Sequence, residues 1–157
     1  MFARMGKKLR GFARLSAGEK ALFLEAWVTL GVMQAAILTL SFKRLTRGLR
    51  QSSGAEAPPE LSDAQRAEAE RIGRAILRAA AHTPWESACL AQVLTARQML
   101  QRRGIPGAFW LGAAKGGEGD PEMEAHAWTR CGDLFVTGRA GHERYTPLSA
   151  FGWEGER

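Results

Sequence analysis

Two side chains in this sequence are of the types that covalent catalysis needs. Cys89 stands in Pro84-Trp85-Glu86-Ser87-Ala88-Cys89-Leu90, where an apolar helical pattern begins. His126 stands far downstream in Ala125-His126-Ala127-Trp128, where an apolar strand pattern runs. A free thiol is a weak nucleophile at neutral pH and needs activation. The unpaired N–H groups and the dipole of a helix's first turn favour a negative sulfur, and an imidazole can take the proton. The same N–H groups can receive the oxyanion that develops in acyl transfer. Each residue also has a plainer reading. Most cysteines are small buried hydrophobes, and a histidine in an apolar strand is commonly a satisfied core residue. On spacing alone both readings stay open.

The competitors are few. Cys131 lies five positions after His126 on the same strand pattern, so the two side chains face opposite ways and Cys131 reads as structural. His82 falls just before Pro84 and His142 in a Gly-flanked loop, neither on a strand that would hold an imidazole. No His, Cys or carboxylate spacing matches a metal site, and no cofactor is implied. Two cysteines are too few for a disulfide scaffold. The basic start lacks a small-residue cleavage site after a short apolar run. A reducing, cytoplasmic setting is the expectation.

The elements that must position these residues are legible in outline. Ser16 with Glu19 three residues on forms a capping box, starting a helix that stays apolar from Lys20 to Phe42. A membrane span needs about 20 apolar residues. Glu25, Gly31 and Gln34 argue against a span, while basic clusters at both ends suit an interfacial helix. A buried or partner-facing helix is the other reading. Gln51 to Pro59 reads as a linker. Ser62 or Asp63 then caps a helix to about Ala81, with Ala69, Ile72, Ile76 and Leu77 inward and Glu68, Glu70, Arg71, Arg74 and Arg78 in water. A third helix runs from Glu86 or Ser87 to Arg102, with Leu90, Val93, Leu94 and Leu100 buried. Arg103-Gly104-Ile105-Pro106-Gly107 hands over to strands at 108–112, 125–130 and 134–137, the last two a hairpin about Cys131-Gly132-Asp133. Lys115 to Asp120 reads as a loop, and a short final strand includes Arg144 to Leu148. Helices first and strands last predict an α+β fold with a small antiparallel sheet and the nucleophile at a helix N-terminus.

The 157 residues, 45% hydrophobic, fit one domain with a helical extension. The expected division is residues 1–59 as a basic, apolar helical extension and linker, and 60–157 as the core. The net charge of +6 is partly local: Arg4, Lys7, Lys8, Arg10 and Arg14 form one cluster, Lys43, Arg44, Arg47 and Arg50 another. The tryptophans sit among apolar residues rather than among Arg and Lys, which argues against nucleic-acid binding.

Taken in order, Pro84-Trp85, Cys89-Leu90, Arg102-Arg103-Gly104-Ile105-Pro106 and His126-Ala127-Trp128 form a set. It resembles the transglutaminase-like leader peptidases of lasso-peptide biosynthesis, the B proteins, in their free-standing form. The likeness runs from about Leu15 to Phe151. It implies a papain/transglutaminase-like cysteine peptidase, a hydrolase that removes the leader from a ribosomally made precursor. The freed core peptide is then closed by an asparagine-synthetase-like, ATP-using cyclase. By that likeness Cys89 is the nucleophile, His126 the general base, and Trp85 and Trp128 pack around the site, with core packing as their alternative. The likeness also implies a separate winged-helix protein that recognises the leader.

One position departs from the family pattern. Its third catalytic member is usually an aspartate twelve positions after the histidine, where this chain has Gly138. Asp133 is the nearest acid, but it lies about 20 Å along the strand from His126 and reads better as a turn residue. A backbone carbonyl, Thr137, or Glu143 from the following loop remains to orient the imidazole. The alternative is a non-catalytic transglutaminase-like scaffold that binds the recognition protein or the cyclase, with the apolar helix at a membrane surface.

Overall fold

The computed structural model describes residues 10–54, 57–85, 88–119 and 122–155. Of the sequence expectations, those on Arg4, Lys7, Lys8, Glu86, Ser87, Asp120 and part of the 51–59 linker lie outside the described residues.

Helix α1 spans Ala17–Thr39 and opens on the expected capping box, in which Ser16 Oγ accepts from Glu19 N–H and the Glu19 carboxylate accepts from Ser16 N–H. A one-turn helix α2 (Phe42–Leu45) follows, capped by Ser41. Strand β1 (Arg50–Ser52) comes next, within the stretch that composition marks as linker. Helix α3 (Asp63–Ala80) carries a second capping box, Ser62 with Gln65. Helix α4 (Cys89–Arg102) begins at Cys89. The strands are β2 (Gly107–Lys115), β3 (Met123–Cys131), β4 (Leu134–Thr137) and β5 (Thr146–Trp153), with a 3₁₀ turn at His142–Arg144.

All five strands form one antiparallel sheet in the order β1-β5-β2-β3-β4. The β3–β4 hairpin turns at Gly132, whose φ of +57° suits a residue without a Cβ. The helices cover one face of the sheet. Leu30 of α1, Ile72 and Ile76 of α3, Leu94 and Leu100 of α4 and Phe109 of β2 share a single core with Ala127 and Cys131 of β3. Alternate positions on the strands, Ala108, Trp110, Trp128 and Ala150, build a second, smaller cluster on the other face. The architecture is the expected α+β arrangement of helices followed by a small antiparallel sheet.

Helix α1 and the sheet thus share one interior. A charged clamp also joins the three long helices. Arg103, at the C-terminal end of α4, reaches Glu25 of α1 through both terminal nitrogens (2.7 and 3.0 Å) and Glu68 of α3 through Nε (3.2 Å). Glu68 therefore does not simply face water as its helical position suggests. The tight approach of α3 to β4 rests on Gly73, where a Cβ would lie 2.7 Å from the Val136 carbonyl oxygen.

Three further expectations change. Leu77 is 53% exposed because it sits at the rim of a cleft beside β4 instead of facing the core. Leu90 is only half-buried, one residue into its helix. The last strand begins at Thr146 and continues to Trp153, because Phe151 and Trp153 pair with Phe109 and Gly107 across the sheet.

Candidate active site

Cys89 is the first helical residue of α4. The preceding N-cap is Ala88, with extended backbone and no side-chain hydrogen bond. An Ser or Asp cap would accept from a first-turn N–H; alanine has nothing to offer, so the cap side chain leaves these donors for another acceptor. Cys89 is half-buried at the margin of the main core. Cys131 is wholly buried, and desolvation pushes its thiol up to about 12. At neutral pH Cys131 stays protonated and inaccessible, in keeping with a structural role.

His126 lies half-buried on β3. Its Nε2 is 2.8 Å from the carbonyl oxygen of Gly138. A carbonyl only accepts, so Nε2 carries the proton and, in the neutral ring, Nδ1 is the acceptor. The imidazole stacks on Trp128 (ring centroids 5.9 Å apart) and tilts against Tyr145 (4.9 Å). The orienting group is therefore a main-chain carbonyl at the position where the resemblance calls for an aspartate. The backbone explains why. Gly138 has φ +75°, and a Cβ there would collide with the Ala127 carbonyl and lie 2.8 Å from Trp128 Cα.

The other sequence candidates have different partners. Asp133 sits in the hairpin turn and is paired with Arg66 of α3, whose hydrogen bond and charge hold its carboxyl below the usual range. Thr137 is buried and donates to the Thr129 hydroxyl at 3.1 Å. Glu143 is mostly exposed, 3.4 Å from His142 Nδ1, and reaches the His126 cleft only as part of its lining. Trp128, 4% exposed, lies in the smaller buried cluster and stacks on His126. Trp85 packs on α1, 5.4 Å from the Trp27 ring and against Gly31.

The cleft beside His126 has a volume of about 610 Å³. Its walls include Leu77 of α3, Gln92 of α4, Phe135 and Thr137 of β4, and the loop from Gly138 to Glu143. Gln92 follows Cys89 by three residues, so both occupy one face of α4. Cys89 itself lies outside the cleft lining. Strand alternation places His126 on the sheet face of Trp128, whereas Ala127 and Cys131 face the helices. The imidazole and the helix layer meet around the end of the sheet, where the cleft opens.

Counting element lengths brings the two residues to a similar level of the sheet. A short turn after Arg103 sends β2 back along α4. From Arg102 to Cys89 the helix rises about 20 Å, the length of about six strand residues. Counted from Gly107, that reaches Gly112 and Ala113, whose β3 partners are His126 and Ala125.

The sequence does not single out Gln92 or Tyr145 as neighbours of the site. His142, expected in a Gly-flanked loop, packs 4.5 Å from the Phe135 ring and 5.9 Å from Trp128. The glycines flanking that loop were the available signal: Gly138 and Gly141 both have positive φ and fold it back over β3. Among the described residues no three His, Cys, Asp or Glu side chains gather to hold a metal ion.

No curated protein and no solved structure matches the chain. A family model described as transglutaminase-like superfamily matches residues 36–150, from the end of α1 into β5. That superfamily includes cysteine peptidases and transferases. The match takes in Cys89, His126 and Gly138 and covers well over half of the sequence: the chain belongs to the transglutaminase-like superfamily.

Proposed function

We propose that the protein is a cysteine peptidase that removes the leader from a ribosomally made lasso-peptide precursor. The observation that carries this reading is the hydrogen bond from His126 to Gly138, which holds an imidazole with an accepting Nδ1 in a cleft shared with the Cys89 helix. Membership of the superfamily, the Ala88 cap that makes no side-chain hydrogen bond and the burial of Cys131 support it.

In this reading His126 Nδ1 takes the Cys89 proton, and the thiolate attacks the carbonyl of the last leader residue. First-turn N–H groups of α4 receive the oxyanion. The imidazolium then gives its proton to the departing amine, which becomes the N-terminus of the core peptide. Water, deprotonated by His126, attacks the thioester and releases the leader as a carboxylate, restoring the thiol. The Gly138 carbonyl holds the protonated Nε2 throughout, the part an aspartate otherwise plays, though without a full negative charge to favour the imidazolium. A separate winged-helix protein would present the leader, and an ATP-using cyclase would consume the core.

Two observations favour a second reading, a non-catalytic scaffold that binds the same partners. They are the glycine at position 138 and the placement of His126 on the sheet face away from α4. One experiment decides between the two. Precursor peptide and recognition protein are incubated with the intact chain, Cys89→Ala or His126→Ala, and products are weighed by mass spectrometry. Cleavage by the intact chain alone establishes the peptidase. Binding of the recognition protein with no cleavage by the intact chain establishes the scaffold.

A further inference from the structure

We propose that the outer face of α1, together with the basic segment that follows it, seats the protein on an anionic phospholipid surface. Leu22, Ala26 and Leu30 bury one side of this helix in the core. The opposite side carries Leu24, Val28, Val32 and Leu38, which are 54, 56, 58 and 75% exposed. Ala17, Ala21 and Ala35 fall on the same stripe and are also exposed. At 100° per residue these positions form one strip along the 23-residue helix, with Lys20, half-buried at its edge, as the one charged residue within it. A helix of a water-soluble fold ordinarily places Lys, Glu or Arg there.

The helix is long and apolar enough to cross a membrane by composition, but its buried side is committed to the protein interior. It can therefore only lie flat, with the outer strip entering the headgroup–acyl boundary.

Charge selects the occupant. Arg10 and Arg14 precede the helix; Lys43, Arg44, Arg47 and Arg50 follow it, all exposed. The ion pairs among the described residues engage Arg66, Arg71, Arg102, Arg103, Arg144 and His142, none of these six. At the C-terminal end Lys43, Arg44 and Arg47, with Ser41 and Thr46, line a cleft of about 450 Å³, of a size and chemistry for a phosphate headgroup. A second copy docked through the same strip would bring basic ends against basic ends in either orientation. An anionic lipid surface complements both the strip and its ends.

The test is cosedimentation of the full chain with vesicles of phosphatidylcholine alone and of phosphatidylcholine with one quarter phosphatidylglycerol. Binding is expected to the anionic vesicles and to fall as salt rises. Lys43→Glu/Arg44→Glu/Arg47→Glu should weaken it about tenfold or more, and Leu24→Glu/Val28→Glu should do the same. These side chains are exposed, and an unchanged thermal unfolding midpoint verifies that the variants fold. Cys89→Ala should bind like the intact chain, so this result is independent of the proposed catalysis. Failure of the intact chain to sediment with anionic vesicles overturns the proposal, whether it is then a monomer, a dimer or bound to an acidic protein. So does binding that neither set of substitutions weakens.

Discussion

Restoring the aspartate at position 138 looks like the obvious way to improve this site, and the structure predicts the opposite. Gly138 has φ +75°, a region that costs a side-chain-bearing residue about 1–3 kcal/mol. A Cβ there would also run into the Ala127 carbonyl and approach Trp128 Cα and Cβ to 2.8 Å. Neighbours this rigid, backbone and a wholly packed indole, cannot give way cheaply, and overpacking adds about 1–3 kcal/mol. Gly138→Asp should therefore lose at least about 2 kcal/mol, which lowers Tm by at least about 4 °C for a domain of this size. The backbone shift that relieves the clash also withdraws the carbonyl from His126 Nε2. Urea and thermal unfolding give the stability. The ring-proton NMR shifts of His126 against pH report whether its hydrogen bond survives. A Gly138→Asp chain as stable as the original, or one with faster thiol alkylation at Cys89, would refute this account of why glycine stands there.

Three other outcomes are expected. Arg103→Met removes the bonds to Glu25 and Glu68 at side chains 24–29% exposed, and should cost about 1–2 kcal/mol after screening. The Arg103 hydrogen bond, outweighing burial, holds the Glu25 carboxyl below its ordinary 4.5. Its contribution is thus fully present above about pH 4.5 and is lost as pH falls through the lowered value; acid titration of Arg103→Met by circular dichroism should lack that part of the slope. Iodoacetamide at pH 7.5 should label Cys89 in the folded chain and leave Cys131 untouched until denaturant is added, because burial holds the Cys131 thiol up at about 12; mass mapping that finds Cys131 labelled first would contradict its placement in the core. Gly73→Ala should destabilise by about 1–3 kcal/mol despite alanine's better helix propensity, since its methyl meets the Val136 carbonyl at 2.7 Å; chemical unfolding measures it.

What the sequence discloses is mostly local. Ser16 with Glu19 and Ser62 with Gln65 are self-contained signals, since the groups that cap a helix end lie within one turn of it. Cys131-Gly132-Asp133 similarly marks its own hairpin. Interactions between distant segments are not written in this way. Nothing near Arg50 says that β1 will pair with β5, and only the pairing of Trp153 with Gly107 shows how far β5 runs. Leu77 has the right spacing for the core but lies where β4 ends and leaves it uncovered. The candidate site divides along the same line. Cys89 and His126 are candidates that their surroundings in the sequence single out, and Asp133 is a turn residue for reasons visible in the sequence. The group that holds His126 is a main-chain oxygen, and every residue type has one, so no side-chain pattern could single out Gly138.

Arg103 gives the helix that carries Cys89 a second attachment. Helix α4 is 14 residues long, a stiff rod with the thiol at one tip and this guanidinium just past the other. The guanidinium grips Glu25 on α1 and Glu68 on α3 at once. A close-packed rod cannot shorten to absorb a pull. A lengthwise slide of α1 against its neighbours would therefore pull directly on the far end of the helix that begins at Cys89, about 20 Å away.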